Sequence, residues 1–330
     1  QSVYVQIGYL ALIALLIGLF VLYLAIVRPN LLTQVRATLF FCLMMALNIA
    51  TSFLILRFSS DDTLLYMVPF AWLGILTSVF YDSRTALALH VITLLIISLA
   101  TPAPFPFLFS QIVVAIVVTY SLRKMTQRAH LAHTALLVAL TYAVVYTALT
   151  LAATGSYTHL QLRIYMFIVA NMIFIICAYG VIYLFERVFG LVSDVTLIEL
   201  SNVNSELMHR FAEEAPGTFQ HTLQVSNLAT EAAKKIEANA LLVRTGALYH
   251  DIGKLMAPQN FTENQQSGDN PLLRMTNLEA AQTVIRHVSD GLTLAAKQHL
   301  PQIIRSFIAS HHGTSLVRYF YNSEANAHPD

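Results

Sequence analysis

Long apolar runs separated by short polar breaks fill the first 188 residues of the chain. A helix that crosses lipid needs about 20 apolar residues. Seven runs approach that length, at Val3–Val27, 37–56, 63–80, 85–99, 105–122, 131–152 and 164–185, the fourth being the shortest. The breaks consist of residues that end helices or resist lipid. Arg28-Pro29-Asn30 stops a helix, Ser59-Ser60-Asp61-Asp62 is too polar for hydrocarbon, and the three prolines of Thr101-Pro102-Ala103-Pro104-Phe105-Pro106 lack backbone donors. Breaks this short make consecutive helices antiparallel neighbours. From Leu191 the pattern turns amphipathic, with Leu197, Leu200, Leu207 and Phe211 among polar residues, and predicts a connecting helix that ends at Ala215-Pro216-Gly217. Five further helices are predicted, at 218–236, 240–254 after an Asn239 cap, 278–288 after an Asn277 cap, 292–299, and 301–311 with Pro301 in the first turn. Residues 257–275, with Pro258, Gly268 and Pro271, read as a long loop, and no alternating strand pattern is evident.

Composition sharpens this division. The chain is 56% hydrophobic and 11% charged, with a mean hydropathy of +0.62, far from the roughly 25% charged residues of soluble proteins. Residues 1–188 carry 9 Lys+Arg and 4 Asp+Glu, whereas 189–330 carry 10 and 14. Two solvents are implied: a lipid-embedded bundle, then a small water-soluble domain. The net charge of +1 and the lack of a basic run argue against nucleic acid as a partner. Cys42 and Cys177 lie in apolar runs and read as buried small residues, which excludes a disulfide scaffold or thiolate zinc cluster. Asn48, His90 and Asn171 read as hydrogen-bonding links between spans.

Short-loop cations set the orientation. Arg28, Arg36, Arg84, Arg123, Lys124 and Arg128 fall on one side, against Arg57 and Arg163 on the other. The first set is therefore expected in the cytoplasm, with the N-terminus outside and the soluble domain inside. The first residue is Gln and no cleavable leader precedes the first span, so the chain is expected to begin partway through a longer protein.

Eight of the 12 histidines lie in the second part. Five of them, His221, His250, His287, His311 and His312, fall on or at the ends of predicted helices, and Asp251 adjoins His250. Imidazole and carboxylate without thiolate suit iron, manganese or zinc in a catalytic rather than a structural site. A carboxylate can bridge two metals and an imidazole cannot, so the single acid, Asp251, suggests a two-metal centre. An acid beside a histidine in the apolar stretch Tyr249-His250-Asp251-Ile252-Gly253-Lys254 would be costly to bury without partners. His209, His299 and His328 read as ordinary solvent-facing residues.

Phe219-Gln220-His221, His250-Asp251-Ile252-Gly253-Lys254, Arg286-His287-Val288-Ser289-Asp290-Gly291 and His311-His312-Gly313-Thr314-Ser315 resemble the blocks of HD-domain metal phosphohydrolases. Following seven spans, they resemble the seven-transmembrane HD family, whose characterised members are bacterial cyclic-di-AMP phosphodiesterases. Residues 213–221 are similar to that family's opening signature, and 312–321 to a later one. The related HD-GYP cyclic-di-GMP enzymes differ after the paired histidines, where this chain reads Gly313-Thr314-Ser315-Leu316-Val317-Arg318-Tyr319.

The resemblance implies an all-α chain with a seven-helix transmembrane domain at 1–188, a connecting segment at 189–217 and a helical HD domain at 218–330 that is incomplete at its C-terminus. It implies a phosphodiesterase of the bacterial inner membrane that converts cyclic di-AMP to linear pApA. Two divalent ions, iron or manganese, would be held by His221, His250, Asp251, His287, His311 and His312, and a further Asp ligand is expected beyond Asp330. Asp251 and Lys254 would act in catalysis. Lys254 lies one turn after His250 on the predicted helix and would meet a phosphate oxygen, with Thr314 and Ser315 as further substrate contacts. Expected partners are the cyclic dinucleotide, the bilayer, an extracytoplasmic signal of unidentified chemistry and a second copy of the chain. A receptor whose HD domain binds nucleotide without turnover, and a phosphomonoesterase acting on mononucleotides, stay open.

Overall fold

The computed structural model describes residues 3–59, 61–122, 129–265 and 270–328; Ser60, Arg123, Lys124, Arg128, Gly268 and Asp330 lie outside them. The chain divides into two compact units, Gln1–Ser193 and Asp194–Asp330. Among the described residues both are helical, with no strand.

The first unit contains α1 (Val3–Val27), α2 (Val35–Phe58), α3 (Ala71–Phe80), α4 (Ser83–Ser98), α5 (Pro104–Ser121), α6 (Ala129–Thr154) and α7 (Leu162–Phe189). Among the described residues six segments are long and apolar enough to cross a membrane, one of them joining α3 to the 3-10 turn before it, and α4 is a shorter apolar helix. The expected continuous helix over 63–80 is broken. Residues Asp62–Met67 form a 3-10 turn, and Val68 is extended at ψ 125° because Pro69 disfavours a helical residue before it. Asp82 starts α4 by accepting the amides of Arg84 and Thr85, and it also pairs with Arg28 at 3.0 Å. Aromatic rings knit the interior: Phe40 packs edge-on against Phe80 and Phe185, and Phe41 lies 4.9 Å from Tyr81.

Of the three polar groups expected to link spans in this unit, one does so and two do not. Asn171 does link elements, donating to the carbonyls of Tyr66 and Val68 at 3.0 and 2.9 Å. Asn48 instead bonds back to Met44 O on its own helix. His90 is 1% exposed, and neither of its ring nitrogens has a hydrogen bond. Cys42 and Cys177 are exposed on the outer faces of α2 and α7. In a lipid-embedded helix the outer face is apolar too, so an apolar neighbourhood in sequence does not mean an interior position.

The second unit contains α8 (Asp194–Leu200), α9 (Glu206–Glu214), α10 (Pro216–Lys235), α11 (Ala240–Tyr249), α12 (Asn277–Lys297), α13 (Gln302–Ser310) and α14 (Arg318–Ala327). The expected connecting helix is split at 201–205, where the Asn202 side chain accepts the Asn204 amide and competes with the helical pattern. Pro216 does not break the chain there but opens α10, where its missing N–H costs nothing. The two helices expected over 278–299 are one. α12 is capped by Thr276 rather than Asn277, with Glu279 completing a reciprocal capping box. It runs through Gly291 and ends before His299, whose φ is +52°. The helix α14 was not anticipated; Asn277 on α12 donates to its Glu324 at 2.8 Å. Among its described residues the expected loop over 257–275 contains three 3-10 turns, at Pro258–Asn260, Thr262–Asn264 and Pro271–Arg274.

Candidate metal centre

The stretch that carries the candidate chemistry is not one helix. Asn239 caps α11 by accepting the Leu242 amide, and α11 ends at Tyr249. Asp251 adopts φ −110° and ψ 13°, and a 3-10 turn follows over Ile252–Met256. Close packing accounts for the change of path. A Cβ on Gly253 would lie 1.8 Å from the carbonyl oxygen of His287 and 2.5 Å from the amide nitrogen of Gly291. Backbone thus meets backbone between the turn and α12, and this brings Asp251 to His287. Lys254 is accordingly on the 3-10 turn and not one helical turn beyond His250.

His221 lies on α10, His287 on α12, and His311 and His312 at the end of α13. Asp251, His287, His311 and His312 form one group of ligand-type atoms within 4.8 Å of one another, and His221, His250 and Asp251 form another. Asp251 is common to both. Its Oδ2 lies 3.2 Å from His250 Nε2, and its Oδ1 lies 3.4 Å from Nε2 of both His287 and His311. His287 Nε2 is also 3.2 Å from Nε2 of His311 and of His312. Thr314 and Ser315 are exposed beyond the left-handed Gly313, and neither belongs to the two groups. His209, His299 and His328 are exposed.

The tautomers follow from the backbone. Nδ1 of His250, His287 and His311 each meets the carbonyl oxygen three residues earlier, that of Ala247, Val284 and Ile308. A carbonyl only accepts, so each Nδ1 carries a proton, and in the neutral form of the ring the Nε2 lone pair is the one turned inward. Burial, chiefly, pushes the titration of His287 and His312 below the ordinary histidine value, which favours neutral rings. Burial also opposes ionisation of Asp251, but the adjacent His250 and His311 side chains and the charge of Lys254 outweigh it and hold the carboxyl well below the usual range. Asp251 Oδ1 is buried without a hydrogen bond. A buried anionic oxygen and several lone pairs converging on one point would repel one another without a cation among them. The donor set therefore fits divalent metal, and the carbonyl-anchored Nδ1–H groups are the orienting bonds typical of such ligands.

Around this centre lies a second tier in which the expected Lys254 meets Glu263, a residue that sequence reasoning missed. Lys254 Nζ sits 2.9 Å from Asp251 Oδ2 and 2.8 Å from Glu263 Oε1, with the Phe261 ring centroid at 5.0 Å. Burial opposes the charge on both Lys254 and Glu263, yet the ion pairs prevail, raising the lysine and lowering the glutamate. Glu263 lies in the 257–275 segment, where no periodicity marks it; the only signal was the segment's unusual length.

Residues 3–193 match the family model described as 7TM receptor with intracellular HD hydrolase, and residues 218–326 match the HD domain model. The chain belongs to the 7TM receptor–HD hydrolase family. It is a membrane protein, and its HD domain is of a divalent-metal-binding type with a His/Asp cluster in place. The cyclic-di-AMP phosphodiesterase PgpH of Listeria monocytogenes is 44% identical over 151 residues, which cover 46% of this chain and 21% of that protein. PgpH of Bacillus subtilis is 29% identical over 324 residues, covering 95% of this chain and 46% of that protein. The chain thus spans less than half the length of these relatives. The crystal structure of the L. monocytogenes PgpH HD domain in complex with cyclic di-AMP is 43% identical, covering 39% of this chain and 60% of that one, with a TM-score of 0.38.

Proposed function

We propose that the protein is a phosphodiesterase that hydrolyses cyclic di-AMP to linear pApA, using two divalent transition metals, iron or manganese. The carrying observation is the sharing of Asp251 between two groups of inward-facing imidazole nitrogens. Metal ions held there would polarise the scissile phosphate and lower the pKa of an attacking water. The chain's own residues do the rest. Asp251 offers one oxygen to each group and supplies the negative charge that both need. His250, His287 and His311 are held in the ligating tautomer by their carbonyl bonds. His221 and His312, both exposed, complete the two groups on the solvent side. Lys254 uses two of its three N–H donors on Asp251 and Glu263, which leaves one for a phosphate oxygen. Thr314 and Ser315 add hydroxyl donors at the exposed margin. Adenine as the base rests on the kinship with PgpH.

In this reading the N-terminus faces outward, the HD domain lies in the bacterial cytoplasm where the substrate is, and the spans carry a signal from outside. Hydrolysis of cyclic di-AMP, cyclic di-GMP and a mononucleotide panel by the full-length protein tests the proposal. Preferential conversion of cyclic di-AMP to pApA is expected. Turnover confined to mononucleotides would identify a phosphomonoesterase instead, and tight nucleotide binding without turnover would identify a receptor.

A further inference from the structure

The geometry points to Glu263 and Asn264 as a clamp that closes the His221–His250–Asp251 metal group, with Glu263 a positioning residue; this rests on the two-metal reading above. Helix α10 carries His221, and its N-cap residue is Ala215, whose methyl group cannot accept a hydrogen bond. The cap comes from 46 residues away. Asn264 Oδ1 accepts the Thr218 amide at 3.0 Å, and its Nδ2 donates to Thr218 Oγ1 at 2.8 Å. Thr218 Oγ1 in turn donates to Glu263 Oε1 at 3.0 Å. An anionic side chain and an amide oxygen at a helix N-terminus complement its free N–H groups and dipole. His221 follows Thr218 by three residues, one turn along the helix, so the clamp sets where that imidazole stands. The two backbones also touch, since a Cβ on Gly217 would lie 1.8 Å from the Glu263 carbonyl oxygen.

The same Glu263 oxygen reaches the other end of this metal group. It holds Lys254 Nζ at 2.8 Å, and that ammonium lies 2.9 Å from Asp251 Oδ2, the oxygen beside His250. Lys254 therefore stands at the carboxylate edge that a metal on His221 and His250 must use. With Glu263 sharing the ammonium, Oδ2 keeps negative charge available for the metal. Without it, the whole pull of Lys254 falls on Asp251. The other group draws on Oδ1, α12 and α13, and apart from the shared Asp251 its residues, His287, His311 and His312, make none of these contacts.

Manganese titration of the metal-free full-length protein, followed by calorimetry and by electron paramagnetic resonance of free Mn2+, tests the clamp. Wild type should bind two ions; fewer would overturn the two-metal reading before any variant is made. Asn264→Ala and Glu263→Gln should each weaken one manganese by about tenfold or more, the usual cost of losing an orienting partner, and leave the other within about twofold. Lys254→Met added to Glu263→Gln should restore the weakened ion, because the competing charge is gone. Equal weakening of both ions, no weakening of either, or no restoration by Lys254→Met would overturn the proposal.

Discussion

Replacing Asp251 with Asn keeps the shape of the side chain and removes its charge, and the structure predicts the loss of both metals together. Asp251 is 3% exposed and lies within 3.4 Å of three imidazole nitrogens and 2.9 Å of Lys254. It is the single anion in both ligand groups. Removing one member of a buried charge pair costs on the order of 3–5 kcal/mol. Since about 1.4 kcal/mol is a factor of ten, the affinity for each ion should fall by roughly two to three and a half orders of magnitude. Metal content by mass spectrometry after dialysis against micromolar manganese should drop to near zero, and hydrolysis should drop with it. Thermal unfolding of the metal-free variant distinguishes this from global unfolding. Retention of either ion within about twofold of wild type, with activity lost, would refute the shared role of Asp251.

Two further outcomes follow from neighbouring contacts and a third from the charge of the short loops. Glu263 titrates below its ordinary 4.5, so its pairing with Lys254 stabilises the fold fully above pH 4.5, and this contribution is lost as pH falls through the depressed value. Thermal melts of metal-free protein should show wild type more stable than Glu263→Gln at pH 6, with the difference vanishing as pH falls through the depressed value; a constant difference would contradict the ion pair. Gly253→Ala should separate the 252–256 turn from α12, cost about 1–3 kcal/mol or more in stability, and lower metal content, as read by circular dichroism melts and metal analysis. A fluorescent protein fused after residue 330 should light up in the cytoplasm, and an alkaline phosphatase fusion at the same point should be inactive; the reverse pattern would invert the proposed orientation.

The metal-type residues were legible because their chemistry is local: a histidine next to an acid in an apolar stretch is conspicuous whatever the fold. Their helical setting was legible only in outline. Nothing in the run Leu248-Tyr249-His250-Asp251-Ile252 shows that the helix stops at Tyr249, because the cause is contact between Gly253 and α12. Gly291 misled for the same reason. It falls in the gap expected between helices at 278–288 and 292–299, whereas its lack of a side chain admits the 252–256 turn to a continuous helix. Glu263 and Asn264 were invisible because their partners are distant in sequence, Thr218 above all, and loop residues have no period to betray them. In the membrane unit the spans were readable from hydropathy. Which face of each helix looks inward was not, as Cys42 and Cys177 illustrate, because lipid and protein interior select the same residues.

Stepwise metal reconstitution of turnover decides whether two metals sharing Asp251 hydrolyse a cyclic dinucleotide. Cyclic di-AMP hydrolysis by metal-free full-length protein, measured as manganese is added in known equivalents, should stay near background through the first equivalent and rise to its plateau with the second, with pApA as the product. A plateau already reached at one equivalent, with the second ion binding silently, would contradict the account.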